Sequence, residues 1–401
     1  MAGNELIGKE EREQILEVLE TGVLMRYEFG DQRKGIYKVR QFEEAFAGYL
    51  GCGHALAVTS GSAALKVALT ALDVGPGDEV IVPAFDFIAT YEAVLEAGAI
   101  PVMADIDDTL NLNPRAIEDR MTPYTKAVIP VHMCGEPAQI EEIMAVARKH
   151  NLLVLEDNAQ ACGGSFKGKK LGTFGHMGIL SFDFYKTITT GEGGMVVTND
   201  KNLYDRSDWY HDHGHDHNPA VGRAMEGRSM LGFNFRMNEL QGAVGLAQLG
   251  KLDYIIAEQR KNKSRIKEAL GCIDGVGFRR LADEEGDTAT FIGFTLPDEA
   301  EARAFQNALK NEGVDTIYYK DNKWHYAPRW EHLIARATAN SKQYPFTNPQ
   351  YRGNVTYDTS TIPNAEALLG RTLFMTIPVR IAEEKMESII RGIEKSAAAG
   401  R

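Results

Sequence analysis

The chain has 401 residues, 44% of them hydrophobic and 25% charged, and 56 acidic against 44 basic side chains leave a net charge of −12. That length carries two domains, or one large domain with an appendage, and the composition is that of a soluble globular protein. The acidic balance argues against a nucleic-acid or anionic-membrane partner, no apolar run reaches the length of a membrane span, and the acidic, helical N-terminus is unlike a signal peptide. An anionic small-molecule substrate stays open, because a local cluster of Arg, Lys and helix N-termini can bind one. The cysteines (Cys52, Cys134, Cys162, Cys272) are scattered without a C-x-x-C pair. They predict free thiols and a reducing, cytosolic compartment.

In chain order, residues 8–21 place Ile15, Leu16, Val18 and Leu19 on one helical face ended by Gly22. Residues 22–38 lack periodicity and read as a loop. A helix over 41–50 carries Phe42, Phe46 and Leu50 at i, i+4, i+8. Strands at 55–59, 79–83, 100–106, 126–132 and 152–157 then alternate with helices over 60–72, within 85–97 and over 138–150. This order predicts an α/β fold with a largely parallel central sheet covered on both faces. In such sheets ligands sit beyond the carboxyl ends of the strands, and Ser60, Phe87, Asp157 and Lys186 all fall at or just after such ends. A helix over 252–270, strands at 288–296 and 313–319, and helices over 299–311 and 383–397 predict a smaller α+β domain. The expected division is 1–250 and 251–401, packed as one body because no low-complexity linker separates them.

Residues 181–200, SFDFYKTITTGEGGMVVTND, are the stretch around which the rest makes sense. Lys186 lies in a polar loop between two apolar strands, followed by Gly191-Glu192-Gly193-Gly194. A lysine held in a glycine-flanked hairpin can be desolvated, which favours the neutral amine that attacks carbonyls. Alone it would be a surface lysine. Upstream, however, Leu152 to Asp157 reads as a buried strand ending in two carboxylates, with Asn158, Ala159 and Gln160 after it. A loop lysine and a strand-end acid are what pyridoxal phosphate requires: an amine for the Schiff base, and an acid that keeps the pyridine nitrogen protonated.

Ser181-Phe182-x-x-x-Lys186 with Gly191-Glu192-Gly193-Gly194, together with Glu156-Asp157-x-Ala159-Gln160, resembles the DegT/DnrJ/StrS family of sugar aminotransferases. The likeness runs over nearly the whole chain and implies the fold-type I architecture of aspartate aminotransferase. It implies Lys186 as the Schiff-base lysine, Asp157 as the pyridine-nitrogen partner and Gln160 as the partner of the cofactor's phenolic oxygen. Asp183 stands where the family often has His. The strand-to-helix junction Ser60-Gly61-Ser62-Ala63 suits a phosphate, against ordinary serine capping, and Ser181 is a second hydroxyl for it. Phe87 matches the family's ring-stacking aromatic, against a core phenylalanine. Asn234 matches an asparagine that reaches the neighbouring subunit's phosphate, which implies a homodimer with shared active sites; a turn before a helix is compatible with it.

Two clusters remain. In His211-Asp212-His213-Gly214-His215-Asp216-His217, an extended segment would align four imidazoles. No second ligand cluster matches it and Gly214 breaks the strand, so no required metal is expected. His213, His215 and His217 are instead substrate candidates, set against a purely structural role. Trp324-His325-Tyr326, with Trp330 and His332, reads as small-domain core or, through His325, as a substrate contact. The expected reaction moves an amino group from an amino acid, by family habit L-glutamate, to a carbonyl sugar. The His run, Ser181-Phe182-Asp183 and Trp324-His325-Tyr326 resemble a small family branch that aminates C8 of 3,8-dideoxy-8-oxo-manno-octulosonate for lipopolysaccharide. The alternative acceptor is a nucleotide-linked keto-hexose. A pyridoxal-phosphate sugar dehydratase would replace Lys186 by His, and a non-catalytic regulatory protein would tolerate loss of residues that are all present here.

Overall fold

Seven apolar runs pair into one sheet in the computed structural model, which describes residues 2–399. An N-terminal arm carries α1 (Lys9–Thr21), the single turn α2 (Gly30–Arg33) and α3 (Lys38–Leu50). Then come β1 (His54–Val58), α4 (Gly61–Ala71), β2 (Glu79–Pro83), α5 (Ala89–Glu96), β3 (Ile100–Ala104), α6 (Pro114–Arg120), β4 (Thr125–Val128), α7 (Ile140–His150) and β5 (Leu153–Asp157). A short ribbon, β6 (Ser165–Phe166) and β7 (Lys169–Lys170), precedes β8 (Met177–Ser181), β9 (Gly194–Thr198), α8 (Lys201–His211) and α9 (Glu239–Leu249). The strand order is β1-β9-β8-β5-β4-β2-β3. Only β9 opposes its neighbours; the pairs β2–β3, β2–β4, β4–β5 and β5–β8 are parallel.

The pleat explains why these strands read as continuous apolar runs. Val80, Val82, Met103 and Leu155 face one layer of helices with Leu65, Leu69 and Val94, whereas Ile81, Val102 and Val154 face the other with Ile117 and Ile143. Each fully buried side chain of this kind contributes about 1.5–3 kcal/mol of transfer free energy. β4 ends sooner than the sequence pattern suggests, because Pro130 has no N–H to continue the ladder. At the other edge, Phe42 and Phe46 of α3 close on Phe182, with ring centroids 5.2 and 5.5 Å away. That clamp fixes the start of the loop that carries Lys186. Gly245 of α9 permits it, since a Cβ there would lie 2.6 Å from the Phe42 ring.

The remainder comprises α10 (Leu252–Gly271), β10 (Gly277–Phe278), β11 (Phe291–Thr295), α11 (Glu299–Asn311), α12 (Glu331–Ile334), α13 (Pro363–Gly370), β12 (Thr372–Thr376) and α14 (Glu383–Ala399). The three strands form an antiparallel sheet in chain order, over a separate core with Leu270, Phe294, Phe305 and Leu373. Residues 313–319 do not form the expected strand. They make one bridge, Ile317 to Phe374, before a 3-10 turn at Tyr319–Asp321. The reason is tertiary: Tyr319, Tyr326 and Trp330 leave the small sheet and pack into the core of the large one. Two smaller differences lie in the arm, where α2 interrupts the expected loop and Leu16 and Leu19 of α1 are exposed while Val18 is buried. No helix among the described residues is long and apolar enough to cross a membrane.

Candidate active site

Glu156 and Asp157 end β5, and strand alternation sends them to opposite faces. Glu156 is structural. It accepts from the amides of Phe174 and Gly175, both at 2.6 Å, and of Gly172 at 2.9 Å, tying down the loop ahead of β8. Asp157 faces a cavity of about 500 Å³ at the carboxyl ends of the strands, which Lys186, Gln160, Phe87, Ser60, Gly61, Ser62, Ser181, Asp183 and His325 also line. Its Oδ1 accepts from the Ala159 amide at 2.9 Å and its Oδ2 from the Thr90 hydroxyl at 3.3 Å. Burial pushes this carboxyl up, with the Ala159 amide and Lys186 pulling the other way.

Lys186 lies in the connection between the antiparallel strands β8 and β9. The Phe182 amide donates to the Gly193 carbonyl at 2.8 Å, and the Phe182 carbonyl accepts from Thr190 at 2.9 Å, so the loop is closed at its base. Nζ sits 5.9 Å from the centroid of Phe87. Burial lowers the pKa of the amine, against the opposing pull of Asp157, Asp183 and Asp86. The net direction favours the neutral, nucleophilic form.

At the opposite end Ser60 caps α4, its Oγ accepting from the Ala63 amide at 3.0 Å. Capping and anion binding coexist, because the first-turn amides of Gly61 and Ser62 have no carbonyl one turn earlier and the helix end is positive. Small residues are obligatory there. A Cβ on Gly61 would lie 2.7 Å from that of Ser181, and one on Gly194 would lie 2.2 Å from the Ser60 carbonyl oxygen. Between the two ends, Gln160 Oε1 accepts from the Cys134 amide at 3.0 Å. This orients the side chain and leaves its NH₂ to donate into the cavity.

Residues 324–326 roof the cavity. The Asp86 amide donates to the His325 carbonyl at 3.0 Å and the Ile88 amide to that of Trp324 at 3.1 Å. The Trp324 ring lies parallel to Phe87, 5.8 Å away and tilted by 5°. Burial and Lys186 push His325 down to about 4, so it enters the site as a neutral imidazole. The reading of this aromatic stretch as small-domain core gives way to a wall of the site. Asp86 and Thr90 were missed as well; the one available signal was an acid directly before the aromatic in Ala84-Phe85-Asp86-Phe87.

The His run is not an extended strand. His211 is the last residue of α8, and His213 and His217 adopt left-handed backbone at φ 54° and 51°. None of His213, His215 or His217 lines the Lys186 cavity of the same chain. His213 is exposed, His215 is buried against Glu226, and His217 stacks on Tyr27 at 4.5 Å. The hub of the region is Asp212, which accepts from Arg223 at 2.6 and 2.7 Å and from Arg236. Burial pushes its carboxyl up, but these guanidinium bonds outweigh that and hold it down to about 2. Asp208, His211 and His217 place donor atoms within 4.8 Å of one another. Both ring nitrogens of His211 are already engaged, with the Tyr27 hydroxyl at 3.0 Å and the Asp208 carbonyl. Asn234 is exposed in the same region, its Oδ1 accepting from the Arg236 amide at 3.3 Å in a local turn.

Residues 5–346 match the model of the DegT/DnrJ/EryC1/StrS aminotransferase family. The chain is 34% identical over 399 residues to the spore coat polysaccharide biosynthesis protein SpsC of Bacillus subtilis, covering 97% of this chain and 94% of that protein. It is 44% identical over 222 residues to the GDP-perosamine synthase of Caulobacter vibrioides, a match that spans 55% of this chain and 58% of the relative. Among solved structures, the aminotransferase from Psychrobacter cryohalolentis superposes with a TM-score of 0.81 at 29% identity, covering 98% of both chains. The cofactor is pyridoxal 5′-phosphate. The cavity fits it: an electron-rich aromatic beside a desolvated lysine, a buried carboxyl at the end of β5, and a serine- and glycine-lined helix N-terminus for the phosphate. The chain belongs to the DegT/DnrJ/EryC1/StrS aminotransferase family and is a pyridoxal-phosphate-dependent sugar aminotransferase.

Proposed function

We propose that the chain transfers an amino group from L-glutamate to C8 of 3,8-dideoxy-8-oxo-manno-octulosonate, giving the 8-amino sugar acid of a lipopolysaccharide. The observation that carries the transfer itself is Lys186 and Asp157 lining one cavity. Pyridoxal phosphate supplies, when bound, a carbonyl carbon that takes up the amine and a ring that accepts electrons. Asp157 keeps the ring nitrogen protonated, Gln160 donates to the phenolic oxygen, and Phe87 stacks on the ring. Ser60, Gly61, Ser62, Ala63 and Ser181 hold the phosphate, joined by Asn234 of a second copy. Lys186 Nζ, whose pKa burial lowers toward the neutral amine, would attach the cofactor and, once displaced by the donor amine, would move the proton from the donor's α-carbon to the cofactor's former carbonyl carbon.

The choice of a free sugar acid rests on the roof. Trp324 and His325 close over Phe87 and favour a compact acceptor over one trailing a nucleoside diphosphate. A homodimer is part of the reading. Leu231 and Phe233, 93% and 63% exposed beside Asn234, and the bare Leu16 and Leu19 of α1 suit burial against a second copy. In that arrangement His213, His215 and His217 approach the partner's site. The free cysteines agree with a reducing cytosol. The second reading, a nucleotide-linked keto-hexose as acceptor, draws on the likeness to GDP-perosamine synthase.

The test is a pair of half-reactions followed by absorbance. Glutamate should bleach the visible band of the bound cofactor, and the 8-oxo sugar acid should restore it while GDP- and TDP-linked keto-hexoses do not. Restoration only by a nucleotide sugar would replace the acceptor and keep the enzyme class.

A further inference from the structure

Asp86 lies between β2 and α5, and its carboxyl is wholly buried in the floor of the Lys186 cavity. Its Oδ1 accepts from the Phe87 amide at 2.6 Å, but Oδ2 has no hydrogen-bond partner. The carboxyl of Asp157 is a close electrostatic neighbour, and the Thr90 hydroxyl bonds to it. A hydroxyl has one proton, and Thr90 donates it to Asp157 at 3.3 Å, which leaves none for Asp86 Oδ2. Asp157 also takes the Ala159 amide. The donors available to the pair are therefore unequally divided, two to Asp157 and one to Asp86. Two adjacent buried carboxyls cannot both ionise cheaply, and the one with fewer donors keeps its proton.

The geometry points to Asp86 as a positioning residue that stays neutral and leaves the pair's single charge on Asp157, facing the cofactor's ring nitrogen. Asp157 holds the Thr90 hydroxyl and the Ala159 amide while Asp86 Oδ2 has no donor, so the charge settles on Asp157 and the proton on Asp86. Desolvation and the neighbouring Asp157 both push Asp86 well up, with the Phe87 amide and Lys186 opposing. The other titratable groups around it are Tyr91 on α5, His325 in the roof and His132 behind Asp157. Tyr91 is itself held neutral well above its usual range by burial, and His325 is uncharged. This inference rests on the cofactor reading of the cavity.

The experiment compares the cofactor-loaded wild type with Asp86→Asn, whose amide keeps the acceptor for Phe87 and a donor in place of the acid O–H. A carboxyl that holds its proton to higher pH when folded makes stability fall as pH rises, because the native state binds the extra proton. As pH rises above about 4, the ordinary aspartate value, the wild type should lose thermal stability more steeply than Asp86→Asn. Its infrared spectrum at about pH 8 should show a neutral carboxylic-acid band that the variant lacks, with cofactor affinity retained within about threefold. Equal pH slopes, or an infrared band absent from the wild type or unchanged in the variant, overturn the assignment. Should Asp86→Asn not fold, Asp86→Ser gives the same comparison. A wild type that does not bind pyridoxal phosphate would refute the cofactor reading instead, and the infrared band would still decide the state of Asp86.

Discussion

Two clusters of buried ionisable groups, one around Lys186 and one around Asp212, follow opposite rules. Around Asp212 nearly every charge is matched: two guanidiniums on one carboxylate, Glu226 on His215, and both nitrogens of His211 engaged. Two groups are exceptions among the described residues: His217 Nε2 lacks a hydrogen bond, with carboxylate oxygens at 3.6 and 3.7 Å, and burial pushes the Asp208 carboxyl up to about 6. Around Lys186 the groups are buried and left short of partners. The lysine is pushed down and Asp157 and Asp86 up by burial, and Asp86 keeps an orphaned oxygen. A saturated network specifies a shape. An unsaturated one, in a cavity, is held ready for a ligand, and its cost in stability is the cost of its chemistry.

Substitutions sharpen that contrast. Lys186→Ala should abolish amino transfer, by at least about 10⁴-fold in kcat, because the same Nζ is nucleophile and proton carrier. The thermal midpoint of the unloaded protein should hold or rise, since a desolvated amine is removed; a falling midpoint would show that the lysine is structural. Asp212→Ala should do the reverse, destabilising by roughly 1–3 kcal/mol in denaturant titration, because the half-buried Arg223 and Arg236 would lose their shared counter-charge. The sign with pH follows from its depressed pKa of about 2. The contribution is present above the unfolded value of about 4 and is lost as pH falls toward the folded one. Wild type and variant should therefore converge in stability in acid.

Asp157→Asn should cost about a hundredfold or more in kcat, with little change in stability, since the amide cannot hold the ring nitrogen's proton. Trp324→Ala removes the outer ring of the roof. A roughly few-fold to tenfold rise in KM for the sugar is expected, with the glutamate half-reaction unchanged; an equal effect on both would place Trp324 over the cofactor rather than the acceptor. The smallest effect is assigned to His213→Ala, which should move stability by less than about 0.5 kcal/mol because the ring is exposed. Any change in acceptor KM there would come from a second subunit.

Lys186 and Asp157 could be read from the sequence because each sits at a junction that period and punctuation mark, a strand end and a glycine-flanked loop. The parallel sheet followed from the same alternation. What could not be read depends on which way the pleat turns. Glu156 and Asp157 are equivalent as letters, yet one ties down a loop and the other faces the cavity. Asp86 hid because it lies in the connection between β2 and α5, where no period marks which way a side chain points. Trp324-His325-Tyr326, with Trp330 and His332, reads as small-domain core because aromatic content carries no address, and only the packing of Tyr326 and Trp330 sends the stretch to the large sheet. The His run misled because α8 continues into it, and left-handed residues at His213 and His217 break the alternation that an extended segment would need.

The most direct test of the central claim is chemical capture. Purified protein loaded with pyridoxal phosphate is reduced with borohydride, digested and mapped by mass spectrometry. The account predicts one stable pyridoxyl adduct, on the peptide carrying Lys186, abolished by prior addition of glutamate. An adduct spread over surface lysines, or none at all, would contradict it.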